Sequence, residues 1–249
     1  MFLNLENGTF ISARNEKQIG IAMIVTYYGH SCFGIDVNGK KILLDPFITP
    51  NKLAKGKVDA ASIEADFILV SHGHEDHVAD LIPIAKRTKA KVISNFEIIS
   101  WLEGQGLENV HPLNHGGKAE FDFGELKYVS AIHSSVLPDG TYGGNPGGFV
   151  IKTRGKCLYY AGDTALTLDM QLIAKSYNVD WAFLPIGDNF TMGADDAVIA
   201  AEFVNCKNVI GMHYNTFPYI EIDEAEAKSK FKKAGANLVL LEIGETIEI

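Results

Sequence analysis

The stretch Phe67–His77, FILVSHGHEDH, constrains the fold more than any other part of the chain. FILV is a short, continuous apolar run, the pattern of a strand buried on both faces. His72 and His74 follow it directly, with one glycine between them. In extended backbone, residues i and i+2 point to the same side, so both imidazoles can reach one cation. Asp76 and His77 come where the chain must turn into a helix ending near Lys89. That turn aims their side chains beside the first pair rather than onto it, so one short loop can serve two adjacent metals. Three of the eight histidines fall within residues 72–77. A solvated histidine-rich turn is the plain alternative, and the buried strand in front argues against it. Glu75 reads as a solvated turn carboxylate.

From Met23 onward, β-like runs recur: IVTYY, CFGIDV, KKILLD, FILVSH, KVISN, LKYVSAIH, GFVIKT, CLYYAGD, WAFLPIG, NVIGMHY, NLVLLEI and ETIEI. Gly, Asn, Asp and Pro bound them, as strand ends prefer. Asn38–Gly39 and Arg154–Gly155 read as hairpin turns. Three helices are legible between strands. In ADLIPIAKRT, Asp80 can cap a helix whose first turn tolerates Pro83. In ADDAVIAAEFVNC, Ala197, Val198, Ala201 and Val204 share a face, with Asp195 and Asp196 at the favourable end of the dipole. DEAEAKSKFKKAG ends at a glycine cap, Gly235. With no linker, repeat or low-complexity tract, the expectation is one α/β domain over 23–249. Residues 1–22 read as an N-terminal extension, or as an upstream start read through.

Imidazole nitrogen and carboxylate oxygen suit zinc-like ions, which in catalytic sites keep a position for water. Four local ligands do not fill two such metals. His133 ends LKYVSAIH, Asp163 ends CLYYAGD and His213 ends NVIGMH, each a polar residue where a buried strand finishes. Such positions converge at one sheet edge. Alone, His133 or His213 reads as a satisfied core histidine, and Asp163 as a turn residue capping the next helix. Joined to the loop they become candidate ligands.

His72-x-His74-x-Asp76-His77, then His133, Asp163 and His213 in order, resembles the metallo-β-lactamase superfamily. The resemblance implies a four-layer αββα sandwich with a dinuclear site on its edge. By motif position, His72, His74 and His133 would hold one metal; Asp76, His77 and His213 would hold the other, with Asp163 bridging. YYGHSCFGIDVNGKKILLDPFI, HSSVLPDGTYGGNPGGFVI and MHYNTFP are similar to a narrower branch of bacterial metal-dependent hydrolases, near the ascorbate-6-phosphate lactonases and the N-acylphosphatidylethanolamine phospholipase D. That branch is often oligomeric, so a homo-oligomer is an open expectation.

Two cations in such a site lower the pKa of a shared water and stabilise charge growing on substrate oxygens. Hydrolysis of an ester, lactone, amide or phosphodiester fits this chemistry, with Asp76 steering the proton of the attacking water. Zinc is the foremost metal expected, while manganese, iron and nickel suit the same donors. A diiron oxidoreductase and a non-catalytic metal-binding protein are the competing readings. Tyr142, Asn145 and Thr216 are candidate substrate contacts on glycine-rich or polar loops. His30 reads as packing behind the site or as a substrate contact, and His111 and His115 as surface turn residues.

A formal charge of −9 argues against a nucleic-acid backbone as partner, and leaves a small molecule as the expected substrate. Cys32, Cys157 and Cys206 are sparse and form no C-x-x-C, as in a reducing compartment. No apolar run reaches the length of a membrane span, and the start lacks the order of a secretory signal. A cytoplasmic enzyme acting away from membranes is the expectation.

Overall fold

The computed structural model describes residues 23–153 and 155–249. The N-terminal extension expected over 1–22 lies outside the described residues, as does Arg154 of the expected Arg154–Gly155 turn. In chain order the strands are β1 (Met23–Gly29), β2 (Cys32–Val37), β3 (Lys40–Leu44), β4 (Phe67–Leu69), β5 (Lys91–Ser94), β6 (Val110–Pro112) and β7 (Lys118–Phe121). Then come β8 (Gly124–Ser130), β9 (Gly147–Lys152), β10 (Cys157–Tyr160), β11 (Trp181–Pro185), β12 (Asn208–Met212), β13 (Asn237–Val239) and β14 (Thr246–Glu248). The helices are α1 (Glu75–Val78), α2 (Leu81–Thr88), α3 (Phe96–Gly104), α4 (Met170–Ser176), α5 (Ala194–Phe203) and α6 (Glu224–Lys233).

Two seven-stranded sheets run β14-β1-β2-β3-β4-β5-β6 and β13-β12-β11-β10-β9-β8-β7. In the first, β1 and β2 pair antiparallel, as do β2 and β3, and β3 to β6 follow parallel. In the second, β8, β9 and β10 alternate and β10 to β13 run parallel. Strands β1, β3, β4, β5 and β6 therefore all finish at one edge of their sheet. Strands β8, β10, β11, β12 and β13 all finish at one edge of theirs.

The period-2 alternation of each strand distributes its side chains between layers. Ile42, Leu44, Phe67, Leu69 and Ile93 point between the sheets, where Phe33 meets Phe183 edge-on at 5.0 Å between ring centroids. Leu43, Ile68, Val70 and Val92 point outward onto Leu81 and Ile84 of α2 and Ile98 and Leu102 of α3. Helices α4, α5 and α6 cover the outer face of the second sheet through Ile173, Ala197, Ala201 and Phe231. Each fully buried phenylalanine contributes roughly 1.5–3 kcal/mol. Helix, sheet, sheet, helix is the expected αββα order. No helix among the described residues is long and apolar enough to cross a membrane.

Several local readings change. Asp80 sits at the start of α2, but its carboxylate makes no cap. It accepts the Ile48 and Thr49 N–H groups at 2.6 and 2.8 Å, pinning the loop after β3. Helix α3 escaped detection because FEIISWLEG is apolar on more than one face, with no polar stripe to reveal a 3.6-residue period. Its start is nonetheless capped, by Asn95 accepting the Ile98 N–H at 2.9 Å. His111, read as a turn residue, is half-buried on β6. Gly235 does close α6: at φ +75°, its N–H reaches Lys232 O while Ala236 N–H reaches Phe231 O.

Candidate metal centre

The candidate ligands lie just beyond the finish of a strand, except Asp76 and His77, which lie in the short helix α1 that follows the β4 loop. His72 and His74 follow β4, His133 follows β8, Asp163 follows β10, and His213 immediately follows β12. Two residues of the same kind complete the set: His30 directly after β1 and Asp45 directly after β3. His30, Asp45 and His213 have φ of 58°, 41° and 56°. That left-handed conformation breaks the strand direction and swings each side chain over the sheet edge. It costs about 1–3 kcal/mol at a non-glycine residue, a strain that clusters at functional sites.

Among the described residues, His72, His74 and His133 present ligand atoms all within 4.8 Å of one another, as do His30, Asp76, His77 and His213; Asp45, His72 and His77 form a third such group that joins these two clusters. His72 Nε2 and His74 Nδ1 face each other at 3.0 Å. Tetrahedral nitrogens about 2.0–2.1 Å from one zinc ion lie ~3.3 Å apart, so the pair fits a shared cation. Asp163 sits between the clusters. Its Oδ2 is 2.9 Å from His213 Nε2 and 3.5 Å from His133 Nε2, while its Oδ1 is 3.3 Å from His77 Nε2. His77 Nε2 and Asp163 Oδ1 are among the buried atoms without a hydrogen-bond partner, and a cation between them would satisfy both.

Asp45, which the sequence reading missed, organises the ring nitrogens. Its Oδ1 accepts the Ser71 N–H at 2.7 Å; its Oδ2 accepts the Ser71 and Tyr160 hydroxyls at 2.5 and 2.7 Å. His77 Nδ1 donates to the same Oδ2 at 2.7 Å, so Nε2 is the nitrogen that faces the site, and a metal there would displace its proton. With its proton committed to Asp45, Ser71 Oγ can only accept from His72 Nδ1 at 3.0 Å. His72 is thereby held in the tautomer whose Nε2 lone pair faces inward. The signal for Asp45 was present in KKILLD, an aspartate closing a buried strand as Asp163 does.

Burial and the neighbouring His77 hold His72 well below the usual histidine range. His77 goes the other way: burial pushes it down, but Asp163, Asp45 and Asp76 together raise it well above. Burial opposes ionisation of Asp163, and His213 and His77 overcome it, holding the carboxyl well below its ordinary value. Asp76 is likewise lowered, by His77 and His30 against burial.

His30 is fully enclosed, with Nε2 3.0 Å from Asp76 Oδ2 and Nδ1 2.9 Å from Thr216 Oγ1. Burial and His213 push it down to about 4, so it is neutral at pH 7. Thr216, expected to face substrate, stands behind His30 in this chain of contacts. Tyr142 and Asn145 are exposed, and the Tyr142 hydroxyl donates to Asn145 Oδ1 at 2.9 Å. Their loop is strapped to the histidine loop, where the Gly73 N–H donates to Ser135 Oγ at 3.0 Å and Ser135 Oγ donates to Gly143 O. Glu75 is exposed, and His115 lies on a turn with Nε2 2.8 Å from Pro146 O.

The profile of the β-lactamase superfamily domain matches residues 24–213. A UPF0173 metal-dependent hydrolase of Christiangramia forsetii is 54% identical over 227 residues, covering 91% of this chain and all of that protein. Igni18, a metallo hydrolase of the archaeon Ignicoccus hospitalis, superposes with a TM-score of 0.83 at 37% identity, covering 92% of this chain and 98% of that one. CmlA, a diiron β-hydroxylase of Streptomyces venezuelae, shares the fold at a TM-score of 0.71 but is 13% identical, over 91% of this chain and 54% of its own. A histidine–aspartate centre on the edge of an αββα sandwich and a match along nearly the whole described chain lead to one conclusion: the chain belongs to the UPF0173 metal-dependent hydrolases of the metallo-β-lactamase superfamily.

Proposed function

We propose that the chain is a dinuclear, zinc-type hydrolase that cleaves an ester, lactone or phosphodiester of a small molecule. In this reading His72, His74 and His133 hold one ion, Asp76, His77 and His213 hold the other, and Asp163 bridges them. The placement of Asp163 carries the reading: one buried carboxylate lies within 3.5 Å of His133, His77 and His213, which are divided between the two clusters.

Divalent ions held there would bring the pKa of water towards neutrality and polarise the scissile bond. The chain's own residues do the rest. Asp45 keeps the His72 and His77 Nε2 atoms turned inward. Phe47 and Phe217 pack edge-on against His30, with ring centroids 5.5 and 5.3 Å away. Asp76, with its side chain 25% exposed against 3% for Asp163, is the more open of the two candidate-ligand carboxylates. Held ionised by His77 and His30, it orients the O–H of the attacking water and is a poor store for its proton.

Elemental analysis beside a hydrolysis panel of esters, lactones and phosphodiesters tests this, with His72→Ala and Asp163→Asn in parallel. About two metals per chain, reduced occupancy in both variants and turnover lost with it are expected. Protein purified without chelator and free of metal would sink the reading. The five histidines and two carboxylates include no thiolate, so the donors admit iron as well as zinc. An iron pair with visible absorption and no hydrolysis would favour the oxidoreductase reading. Full occupancy without turnover of any kind would favour a metal-binding protein. A cytoplasmic setting belongs to the same proposal, with Cys32, Cys157 and Cys206 as buried free thiols.

A further inference from the structure

Two features mark most of the connections that leave the strand ends around the candidate metal centre. The first is charge. Residues 70–80, 131–146, 161–169, 186–193 and 213–223 contain no lysine or arginine, although they contain Glu75, Asp139, Asp169, Asp188 and Glu221. Lys52, Lys55 and Lys57 are confined to the connection between β3 and β4, and all three are exposed. A phosphate group approaching over those five connections would meet no lysine or arginine, in a chain whose net charge is −9. Sites built for phosphate supply arginine or lysine.

The second is apolar exposure. Ile132, Leu168, Phe190 and Tyr219 are 56%, 70%, 49% and 74% exposed. One exposed apolar residue is ordinary, but these stand on adjoining connections tied together beside the ligands. Ile132 precedes His133; its N–H donates to Thr164 Oγ1 and its carbonyl accepts the Ala165 N–H, both at 3.0 Å. The Met192 N–H donates to Thr164 O at 3.0 Å, which anchors the Phe190 turn next to Asp163. Phe190 and Tyr219 then meet edge to face, with centroids 6.1 Å apart. Four exposed apolar side chains on connections tied to one another beside candidate ligands, two of them in ring contact, offer a surface for an apolar group.

We propose that the substrate is a neutral carboxylic ester or lactone whose apolar chain or ring rests on the rim formed by Ile132, Leu168, Phe190 and Tyr219, and that phosphorylated compounds are rejected. This narrows the hydrolase reading and rests on it. Water adds to the acyl carbon and the acyl C–O bond breaks. The alcohol leaves carrying one proton, and the acid departs as carboxylate with release of another.

Two measurements on metal-loaded protein test it. Calorimetry with acetate, butyrate, octanoate and phenyl phosphate reads the rim without turnover, and the matching p-nitrophenyl esters and bis(p-nitrophenyl) phosphate read turnover. Affinity is expected to rise about threefold per added methylene over the first few carbons, with phenyl phosphate the weakest aromatic or long-chain ligand. Ile132→Ser with Leu168→Ser should flatten that dependence. Tighter binding or faster cleavage of the phosphates, or no dependence on chain length, overturns the inference. Chain-length dependence in binding without turnover of any compound upholds the rim and overturns the hydrolase reading instead. Conversion of an oligomer to monomers in the double variant, by light scattering, would assign the patch to a second copy and overturn the inference.

Discussion

Replacing Asp45 with asparagine should damage metal binding more than any other change outside the candidate ligands. The carboxylate is fully buried and takes four hydrogen bonds, from Ser71 N–H, Ser71 Oγ, Tyr160 and His77 Nδ1. Asparagine keeps the volume but supplies one acceptor oxygen and two N–H donors. An N–H turned towards His77 forces Nδ1 to accept, which puts the ring proton on Nε2, where the metal needs a lone pair. Released from Asp45, Ser71 can donate to His72 Nδ1, with the same consequence there. Loss of such an outer partner typically costs about 10–100-fold in metal affinity, or ~1.4–2.8 kcal/mol. Metal content after dialysis and calorimetric titration measure the effect. Asp80→Asn is the control: that carboxylate is also buried and holds two N–H groups, but touches no ligand ring. It should lower thermal stability with little change in metal affinity. If Asp45→Asn binds metal as wild type does, or if Asp80→Asn loses as much, the tautomer argument is refuted.

His30→Ala removes the partner of Asp76 Oδ2 and should weaken the Asp76–His77–His213 cluster by roughly tenfold; Thr216→Val, which only frees His30 Nδ1, should cost less, and equal effects would deny the relay. Metal uptake at pH 7 should release about one proton, because His77 is raised and protonated in the metal-free protein. For the same reason the His77 contribution to metal-free stability is complete below about pH 6.5 and fades as pH rises through its raised value, while metal affinity climbs over that window. Titrations in buffers of different ionisation enthalpy would read that proton, and none released would contradict the assignment. A Cβ placed on Gly187 would lie 2.1 Å from the His213 carbonyl oxygen, so Gly187→Ala should displace His213 and lower both metal occupancy and melting temperature. A variant with normal occupancy would show that the backbone gives way elsewhere.

The candidate ligands of the histidine loop were legible because their placement is local. His72, His74, Asp76 and His77 lie on one strand–loop–helix passage, where period-2 and helical geometry alone bring side chains together. His133, Asp163 and His213 were legible as polar residues ending apolar runs, positions that parallel strands gather at one edge. The outer layer was not. Asp45 reaches its partners Ser71, His77 and Tyr160 across 26, 32 and 115 residues, and nothing in KKILLD says which strand end it will face. Thr216, expected as a substrate contact, has its hydrogen-bond partner in His30, 186 residues away, which no local pattern signals. The proposed apolar rim is likewise built from four loops, after β8, β10, β11 and β12, that only the strand order within one sheet makes neighbours. Periodicity and strand-end polarity, read along the chain, determine which residues point to the edge. Sheet order and register, which depend on contacts distant in sequence, decide which of them meet, and so which nitrogen of each histidine faces the centre.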